Sequence, residues 1–285
     1  MTQEVMALRL ITVLLALLLL LSFPISCKKD TEQAPLLQIY ALDVGQGDSL
    51  LLRSKGINIL IDAGPEQYQE LLCLRLEQLE VDKIDLAIFT HPDEDHIGGA
   101  DGVLEKFAVS EVWINGAQSE EACYKALMGA ISKSKTKLLS VKDGDARQIH
   151  ELLSFYVFSP LGDDAEGGNE DSIVLRMQCG QISAIFTGDA GVETEQALLA
   201  RYGKAHLDCD IYKVGHHGSN TSSSQAFVEA LSPQYALICC GRGNAFGHPH
   251  GEVLATLNAI NAQILRTDLL GEILIESDGE RIWQK

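Results

Sequence analysis

Residues 84–99 read Ile-Asp-Leu-Ala-Ile-Phe-Thr-His-Pro-Asp-Glu-Asp-His-Ile-Gly-Gly, an apolar run followed without a break by imidazoles and carboxylates. The apolar part, 84–90, predicts a buried strand. A bend directly after a strand lets neighbouring side chains converge, and the two glycines at its end give the backbone that freedom. Because imidazole and carboxylate groups bind divalent ions, the junction favours a metal site over a solvated acidic loop. Its candidate ligands are His91, Asp93, Asp95 and His96.

Three more short apolar runs, at about 183–187, 211–214 and 236–240, also lead into polar groups. A lone histidine is most often a surface or core residue, and a lone Gly-Asp is a turn. Four such strand ends hold six of the eight histidines of the chain, which predicts one shared polar centre. His150 and His206 lie in ordinary sequence and are expected to be structural. The candidate groups of the three later strand ends are Asp189, His216, His217, His248 and His250.

The spacing of the first cluster resembles the His-x-His-x-Asp-His signature of the metallo-β-lactamase superfamily, with Asp93 in place of the second histidine. This resemblance implies an α/β fold, namely a four-layer αβ/βα sandwich with the metal site at one edge of the sheets. It also implies two divalent metal ions, zinc or manganese, and a metal-activated hydroxide as nucleophile. Oxygen-rich ligand sets shift the metal preference from zinc toward manganese or magnesium. Asp93 makes β-lactam hydrolysis the least expected reaction.

Within that superfamily, the chain resembles the extracytoplasmic domain of the ComEC competence proteins, a branch that also has Asp at the second histidine position. The resemblance covers about residues 36–280 and predicts a stand-alone version of the domain, without the multi-helix membrane channel. The segments that carry it, besides the His91 cluster, are Leu-Asp-Val-Gly-Gln-Gly-Asp-Ser at 42–49, Ile-Leu-Ile-Asp-Ala-Gly-Pro at 59–65, Asn-Glu-Asp-Ser-Ile-Val-Leu at 169–175, Thr-Gly-Asp at 187–189, His-His-Gly-Ser at 216–219 and Gly-His-Pro-His at 247–250.

The resemblance also implies a role for each polar group. Asp95 is expected to be catalytic as well as a ligand, and His217 is expected to protonate the leaving oxygen. His216 and His217 exchange roles if the register is reversed. The expected metal ligands are His91, Asp93 and His216 for one ion, Asp95, His96 and His248 for the other, and Asp189 as the bridge. The groups expected to support these ligands or to contact substrate are Asp62, Gln46, Asn169, Ser172, Ser219, Lys213, Arg242 and His250.

The first 27 residues predict a signal peptide, because an apolar core at 10–21 is shorter than the roughly 20 residues that span a membrane. Cys27 follows Ser26 in a pattern that resembles a bacterial lipoprotein box, so it is expected to carry lipid after cleavage. The alternative is an uncleaved anchor. Residues 28–35 then form a short linker and 36–285 the hydrolase domain. Both readings predict an exported protein, on the cell surface, anchored to a membrane through the lipid or the signal segment, or secreted.

The charge composition works against a nucleic-acid substrate, since the formal net charge is −18 and affinity for DNA comes largely from basic groups. The first hypothesis is nevertheless a metal-dependent phosphodiesterase, a nuclease acting on extracellular DNA, because the ComEC-like segments favour it. The alternatives are a hydrolase of another phosphoester or small ester, such as a phosphocholine headgroup or a lactone, and a non-catalytic surface-binding lipoprotein. No protein partner is inferred, and no cysteine is placed as a nucleophile.

The rest of the chain alternates strand and helix patterns, which predicts layered α/β structure in a single domain. A helix is expected over 66–79, with Leu71, Leu72, Leu76 and Leu79 on one face. Further helices are expected over 119–131, 192–201 and 224–231. The segment 161–171 is too polar and glycine-rich for a regular element.

Overall fold

The computed structural model describes residues 34–162 and 167–285. The expected signal peptide, Cys27 and the linker as far as residue 33 lie outside these residues, as does part of the 161–171 segment. Residues Pro35–Lys285 form one compact unit. Within the described part of the chain, no helix has the length and apolar character needed to cross a membrane.

Two large β-sheets form the middle of the unit. The strands are β1 Leu37–Ala41, β2 Leu50–Ser54, β3 Ile57–Ile61, β4 Lys83–Ile84, β5 Leu86–Ile88, β6 Ala108–Val109, β7 Glu111–Ile114, β8 Lys137–Ser140, β9 Ala146–His150, β10 Leu153–Ser159, β11 Val174–Cys179, β12 Ile182–Phe186, β13 Ile211–Lys213, β14 Tyr235–Ile238, β15 Gln263–Arg266, β16 Ile273–Ser277 and β17 Ile282–Gln284. The first sheet has the order β17-β16-β1-β2-β3-β5-β7-β8, and the second β15-β14-β13-β12-β11-β10-β9. β4 and β6 pair separately.

Each large sheet combines an antiparallel part with a parallel part. β3, β5, β7 and β8 run parallel in the first sheet. β12 to β15 run parallel in the second. Because neighbouring parallel strands point the same way, their carboxyl ends meet at one edge of the sheet, where α/β proteins commonly bind ligands.

Helices cover the outer face of each sheet. They are α1 Gln69–Gln78, α2 Glu94–Ile97, α3 Ala100–Lys106, α4 Ala122–Lys133, α5 Val192–Tyr202, α6 Lys204–Leu207, α7 Gln225–Leu231, α8 Gly251–Ala259 and α9 Thr267–Leu270. Buried side chains of α1, α3 and α4 pack on the first sheet, and those of α5, α7 and α8 pack on the second. A third apolar cluster fills the space between the sheets. The predicted four-layer αβ/βα sandwich is confirmed.

Strand alternation divides the core in the expected way. In β1, Leu37, Ile39 and Ala41 point between the sheets, whereas Tyr40 points to the helical layer. This is the period of two that a strand imposes on successive side chains. The eight-stranded sheet can therefore bury apolar groups on both faces.

The predicted helix over 66–79 differs from the observed one. Residues Glu66–Tyr68 form a 3-10 turn, and α1 begins only at Gln69. Leu72 and Leu76, four residues apart, are buried, but Leu71 is 51% exposed. The prediction that Leu71 lies on the buried face is wrong, because one step around a helix turns a side chain by about 100°.

Candidate metal centre

The polar groups of the four strand ends lie at the edge where the parallel strands of both sheets end. In the first sheet, β3 leads into Asp62, and β5 leads into the turn that carries His91. In the second, β12 leads into Asp189, and β13 leads into His216 and His217. Facing strand ends from two sheets thus supply the imidazoles and carboxylates of a single centre.

Asp62 and His96 form the first of two carboxylate–imidazole couples. Asp62 Oδ2 lies 2.9 Å from His96 Nδ1. The two Asp62 oxygens also accept hydrogen bonds from the backbone N and Oγ1 of Thr90, each at 2.8 Å. The couple directs His96 Nε2 toward Asp189 Oδ1, 3.1 Å away. A carboxylate on the far nitrogen is the usual way to orient a metal-ligating histidine.

Asp48 and His217 form the second couple. Asp48 Oδ1 lies 3.1 Å from His217 Nδ1, which is also 3.0 Å from the carbonyl oxygen of Cys239. His217 Nε2 consequently points into the centre, 3.1 Å from Asp95 Oδ2 and 3.6 Å from Asp189 Oδ2. Both couples therefore aim an imidazole Nε2 at Asp189.

Lys213 lies behind the second couple and not at the surface. Its side chain is 1% exposed, and its Nζ is 2.5 Å from Asp48 Oδ2 and donates to the carbonyl of Val214 at 2.8 Å. Of the two roles expected for Lys213, support of a ligand fits this placement, whereas contact with substrate does not, because the side chain points into the core and its charge is already paired. Although burial alone would raise the pKa of Asp48, Lys213 and His217 lower it to about 2.

Asp48 is the site residue that the sequence interpretation missed. It lies within the segment 42–49 and precedes strand β2, whereas the predicted ligands follow strands. Gly47 beside it gives a usable signal. A Cβ at Gly47 would lie 2.4 Å from the carbonyl oxygen of Asp95, so only glycine allows this loop to approach the first metal-ligand cluster so closely.

The charges of the centre are strongly coupled. Burial alone would raise the pKa of Asp189, but His217 and His96 hold it well below its usual range. Burial would lower the pKa of His217, yet Asp189 and Asp48 raise it to about 10. The carboxylates around His96 and His217 thus stabilise positive charge on these two imidazoles. A bound divalent ion would take the place of these protons, so its binding should release protons.

The residues present fit a metal ion. His91 Nε2, His96 Nε2 and Asp189 Oδ1 are buried and have no hydrogen-bond partner among the described residues. Orphaned buried polar atoms are rare and costly, and a cation satisfies all three. Asp48, His96, Asp189 and His217 each offer an atom within 4.8 Å of the others. Asp48 Oδ1 makes no hydrogen bond among the described residues either, so it is available to an ion as well as close to His217 Nδ1.

His216 lies at the outer side of the centre. Its side chain is 25% exposed, and its Nε2 is 3.5 Å from Asp189 Oδ2, while its Nδ1 is 2.9 Å from Thr221 Oγ1. His216 and His217 both have left-handed backbone angles, with φ of 46° and 53°, which is unusual for residues other than glycine. This bend places one imidazole deep and the other toward solvent, which favours the reversed register, with His217 as the ligand.

The other predicted groups line the rim or support it. Asp93 Oδ2 is 3.6 Å from His91 Nε2, with 49% of its side chain exposed. Ser172 Oγ lies 3.3 Å from His91 Nδ1 and accepts from the backbone N of Asp189. The ring of His248 lies 5.7 Å from that of His216. Each of these groups thus lies beside an imidazole of the centre.

Four further predicted groups have partners that the structure identifies, and Asn169 contacts an imidazole of the centre directly. Asn169 Nδ2 is 3.4 Å from His216, and Ser219 Oγ bonds Thr221. His250 Nδ1 accepts from the backbone N of Asn220. Gln46 accepts from the backbone N of Gly241.

The two histidines expected to be structural lie elsewhere. His150 contacts the hydroxyl of Ser54, and His206 contacts the carbonyl oxygen of Tyr202. The six cysteines of the described residues are free.

Comparison with known proteins agrees with this geometry. The sequence model of the metallo-beta-lactamase superfamily matches residues 42–242. ComE operon protein 3 of Bacillus subtilis is 34% identical over 256 residues, covering 83% of this chain and 32% of that protein. Recombination protein 2 of Haemophilus influenzae is 29% identical and Competence protein ComA of Neisseria gonorrhoeae 30%, over 93% and 81% of this chain. The chain spans about a third of the length of these relatives.

Solved structures resemble the fold at low sequence identity. The metallo-beta-lactamase fold protein YhfI of Bacillus subtilis superposes with a TM-score of 0.57 at 9% identity, over 87% of this chain and all of that one. Igni18, a metallo hydrolase of Ignicoccus hospitalis, gives a TM-score of 0.54 at 13% identity, over 84% and 99% of the two chains. These likenesses concern the fold alone.

Proposed function

Since the chain belongs to the metallo-beta-lactamase superfamily, we propose that it is a metal-dependent phosphodiesterase that hydrolyses DNA. The observation that carries the proposal is the pair of carboxylate–imidazole couples that aim His96 and His217 at Asp189, beside buried atoms without partners. The names of the relatives, a recombination protein and competence proteins, favour DNA as the substrate.

The metal-binding residues follow from the placement of the side chains. Asp189 faces His96 with Oδ1 and His217 with Oδ2, so it is suited to lie between two ions, zinc or manganese. Divalent ions held there would lower the pKa of water and neutralise charge on a phosphate. The groups that would hold them are His91, Asp93, Asp95, His96, Asp189, His217 and His248.

The proton-transfer role falls to His216. Its side chain is 25% exposed, and its Nδ1 contacts Thr221 Oγ1 and not a carboxylate. His216 Nε2 can therefore give a proton to the leaving oxygen of a bound ester. Asn169, 3.4 Å from the ring, limits its rotation.

The test is hydrolysis by the purified full chain with Mn²⁺ or Zn²⁺, on single-stranded DNA, a simple phosphodiester, a phosphocholine ester and a lactone. We expect DNA and the diester to be cleaved, and Asp189→Asn to abolish both activities and metal binding while the protein stays folded. The amide keeps the shape of the carboxylate but not its charge. Full turnover and metal content in Asp189→Asn would refute the two-metal proposal.

A second candidate is hydrolysis of a small ester, such as a phosphocholine headgroup or a lactone. The net charge of −18 and the burial of Lys213 favour it, because both leave little positive charge to attract a polyanion. Cleavage of the phosphocholine ester or the lactone, with DNA left intact, would establish this alternative.

We also propose that the protein is exported and tethered by lipid on Cys27. The support is the apolar core at 10–21 and the cysteine that follows it. In this position the domain would meet DNA outside the cell.

A further inference from the structure

A cavity of about 380 Å³ lies between the loop at 43–46, the start of α1 and the loop at 241–244. Gln46 and Gly241 form part of its wall. Along the chain they are two residues from Asp48 and Cys239, the groups that contact His217 Nδ1. The volume lies within the range of about 300–1,000 Å³ that small-ligand sites occupy.

Asn244 joins the cavity to the metal centre. It lines the cavity, its Oδ1 accepts from the backbone N of His248 at 2.9 Å, and its Nδ2 donates to the His248 carbonyl at 2.7 Å. A group in the cavity would therefore be a neighbour of whatever ester reaches His248. The His248 ring lies 5.7 Å from that of His216, so this contact connects the cavity wall to the imidazoles of the centre.

The lining offers both flat and polar surfaces. Tyr68 and Leu71 line it from the start of α1, and Leu71 is half exposed. Arg242 lines it from the other side; its Nε donates to the Asp268 carbonyl at 3.0 Å, and its two terminal nitrogens have no partner among the described residues. Gln46 Nε2 is also buried without a partner, so an acceptor on a ligand would stabilise it.

The charges in the cavity nearly cancel. The lining carries one positive charge, on Arg242, and one negative charge, on Asp43, while both Asp268 oxygens accept hydrogen bonds from Arg266. A second phosphate in the cavity would share it with the carboxylate of Asp43. A neutral planar group with donors and acceptors on its edge fits this lining better, since aromatic and guanidinium planes stack on bases and carboxylates and amides pair with base edges.

We propose that this cavity binds the nucleobase of the nucleotide next to the phosphodiester at the metal centre, with Tyr68 and Arg242 as its main contacts. The inference rests on the proposed phosphodiesterase function and names its substrate class, nucleotide esters in preference to simple phosphodiesters. It also accounts for recognition of DNA by an acidic protein, because base contacts do not depend on positive charge.

The test compares two esters that release the same p-nitrophenolate, the p-nitrophenyl ester of thymidine 5′-monophosphate and methyl p-nitrophenyl phosphate. Arg242→Ala and Tyr68→Ala should each raise KM for the nucleotide ester about tenfold, with kcat little changed, as expected from losing one base contact. Both variants should treat the methyl ester as the wild type does. Tyr68→Phe, which keeps the ring, should behave like wild type, and the exposed Arg281→Ala is the matched arginine control.

Calorimetric titration with thymidine 5′-monophosphate gives a readout without turnover. The wild type should bind it at least tenfold more tightly than methyl phosphate, and Arg242→Ala should remove this preference. If the wild type hydrolyses neither ester, the proposed function fails, and loss of this preference in Arg242→Ala would still support the cavity. Equal losses on both esters, or no preference for the nucleotide over methyl phosphate in the wild type, would overturn the inference.

Discussion

The orientation of His217 depends on Lys213, a residue that contacts Asp48 and not His217 itself. The Nε2 atom of His217 faces the carboxylates of Asp95 and Asp189. This orientation is set at Nδ1, which lies beside the Cys239 carbonyl oxygen and the Asp48 carboxylate. Asp48 in turn is held by Lys213 at 2.5 Å, deep in the core. A buried pair costs desolvation energy, so its value here lies in fixing the orientation of the imidazole.

Replacing Lys213 by Met should destabilise the protein by about 3–5 kcal/mol, because it removes one partner of a buried pair and leaves Asp48 Oδ2 without its cation, with His217 the charge that remains beside Asp48. Metal affinity should fall by about 10–100-fold, the usual effect of losing a supporting group. Urea denaturation in chelator and metal titration measure the two effects. Lys106→Met, which removes an exposed pair with Glu77 at 3.0 Å, is the control and should cost less than about 1 kcal/mol. A Lys213→Met protein as stable as this control would contradict the role assigned to the pair.

At the scale of elements, the second sheet carries its site residues on loops that helices hold in place. The loop after His217 ends at Ser223 and Ser224, where α7 begins. Glu195 on α5 accepts from the backbone N of both serines, so it takes up donors at the start of α7 that no side-chain cap satisfies. Because the carboxyl is buried, its pKa is raised to about 6.

The stability contributed by Glu195 should therefore depend on pH. A carboxyl with a folded pKa raised from 4.5 to about 6 stabilises the fold below pH 4.5 and loses that contribution as pH rises through 6. The change amounts to about 2 kcal/mol. Urea denaturation of wild type and Glu195→Gln between pH 4 and 7 should show a difference that shrinks by this amount, with Glu193→Gln on the exposed side of α5 as the control. A difference independent of pH would mean that folding does not shift the pKa of Glu195.

At the scale of the whole molecule, the net charge of −18 repels a polyanion such as DNA. Among the predicted basic contacts, only Arg242 remains available, because Lys213 is buried. Each phosphate that a protein neutralises on single-stranded DNA contributes about −0.7 to the slope of log K against log salt.

We expect the slope for oligonucleotide binding to stay below about 2 in magnitude between roughly 50 and 200 mM salt, since added salt also screens the repulsion. Fluorescence anisotropy with Asp189→Asn measures this slope without cleavage. A slope of about 5 or more would reveal a basic track that Arg242 alone does not explain.

Export is also a property of the whole chain. Wild-type protein should partition with membranes, and Cys27→Ala should leave the signal uncut or release the domain into the medium, because the lipid could no longer be attached. Fractionation and mass spectrometry of the amino terminus measure both outcomes. Soluble cytoplasmic behaviour of both proteins would argue against export.

The sequence by itself determined the layered α/β fold and the four polar strand ends, because an apolar run that stops at His91 or Asp189 specifies a strand and its polar end locally. It did not determine which neighbouring imidazole points inward, that Lys213 is buried, or that Asp48 belongs to the centre. Those features depend on which side chains two separate sheets bring together. Burial and charge pairing arise only when residues as distant as 48, 213 and 217 pack against one another, so the tertiary structure alone decided them.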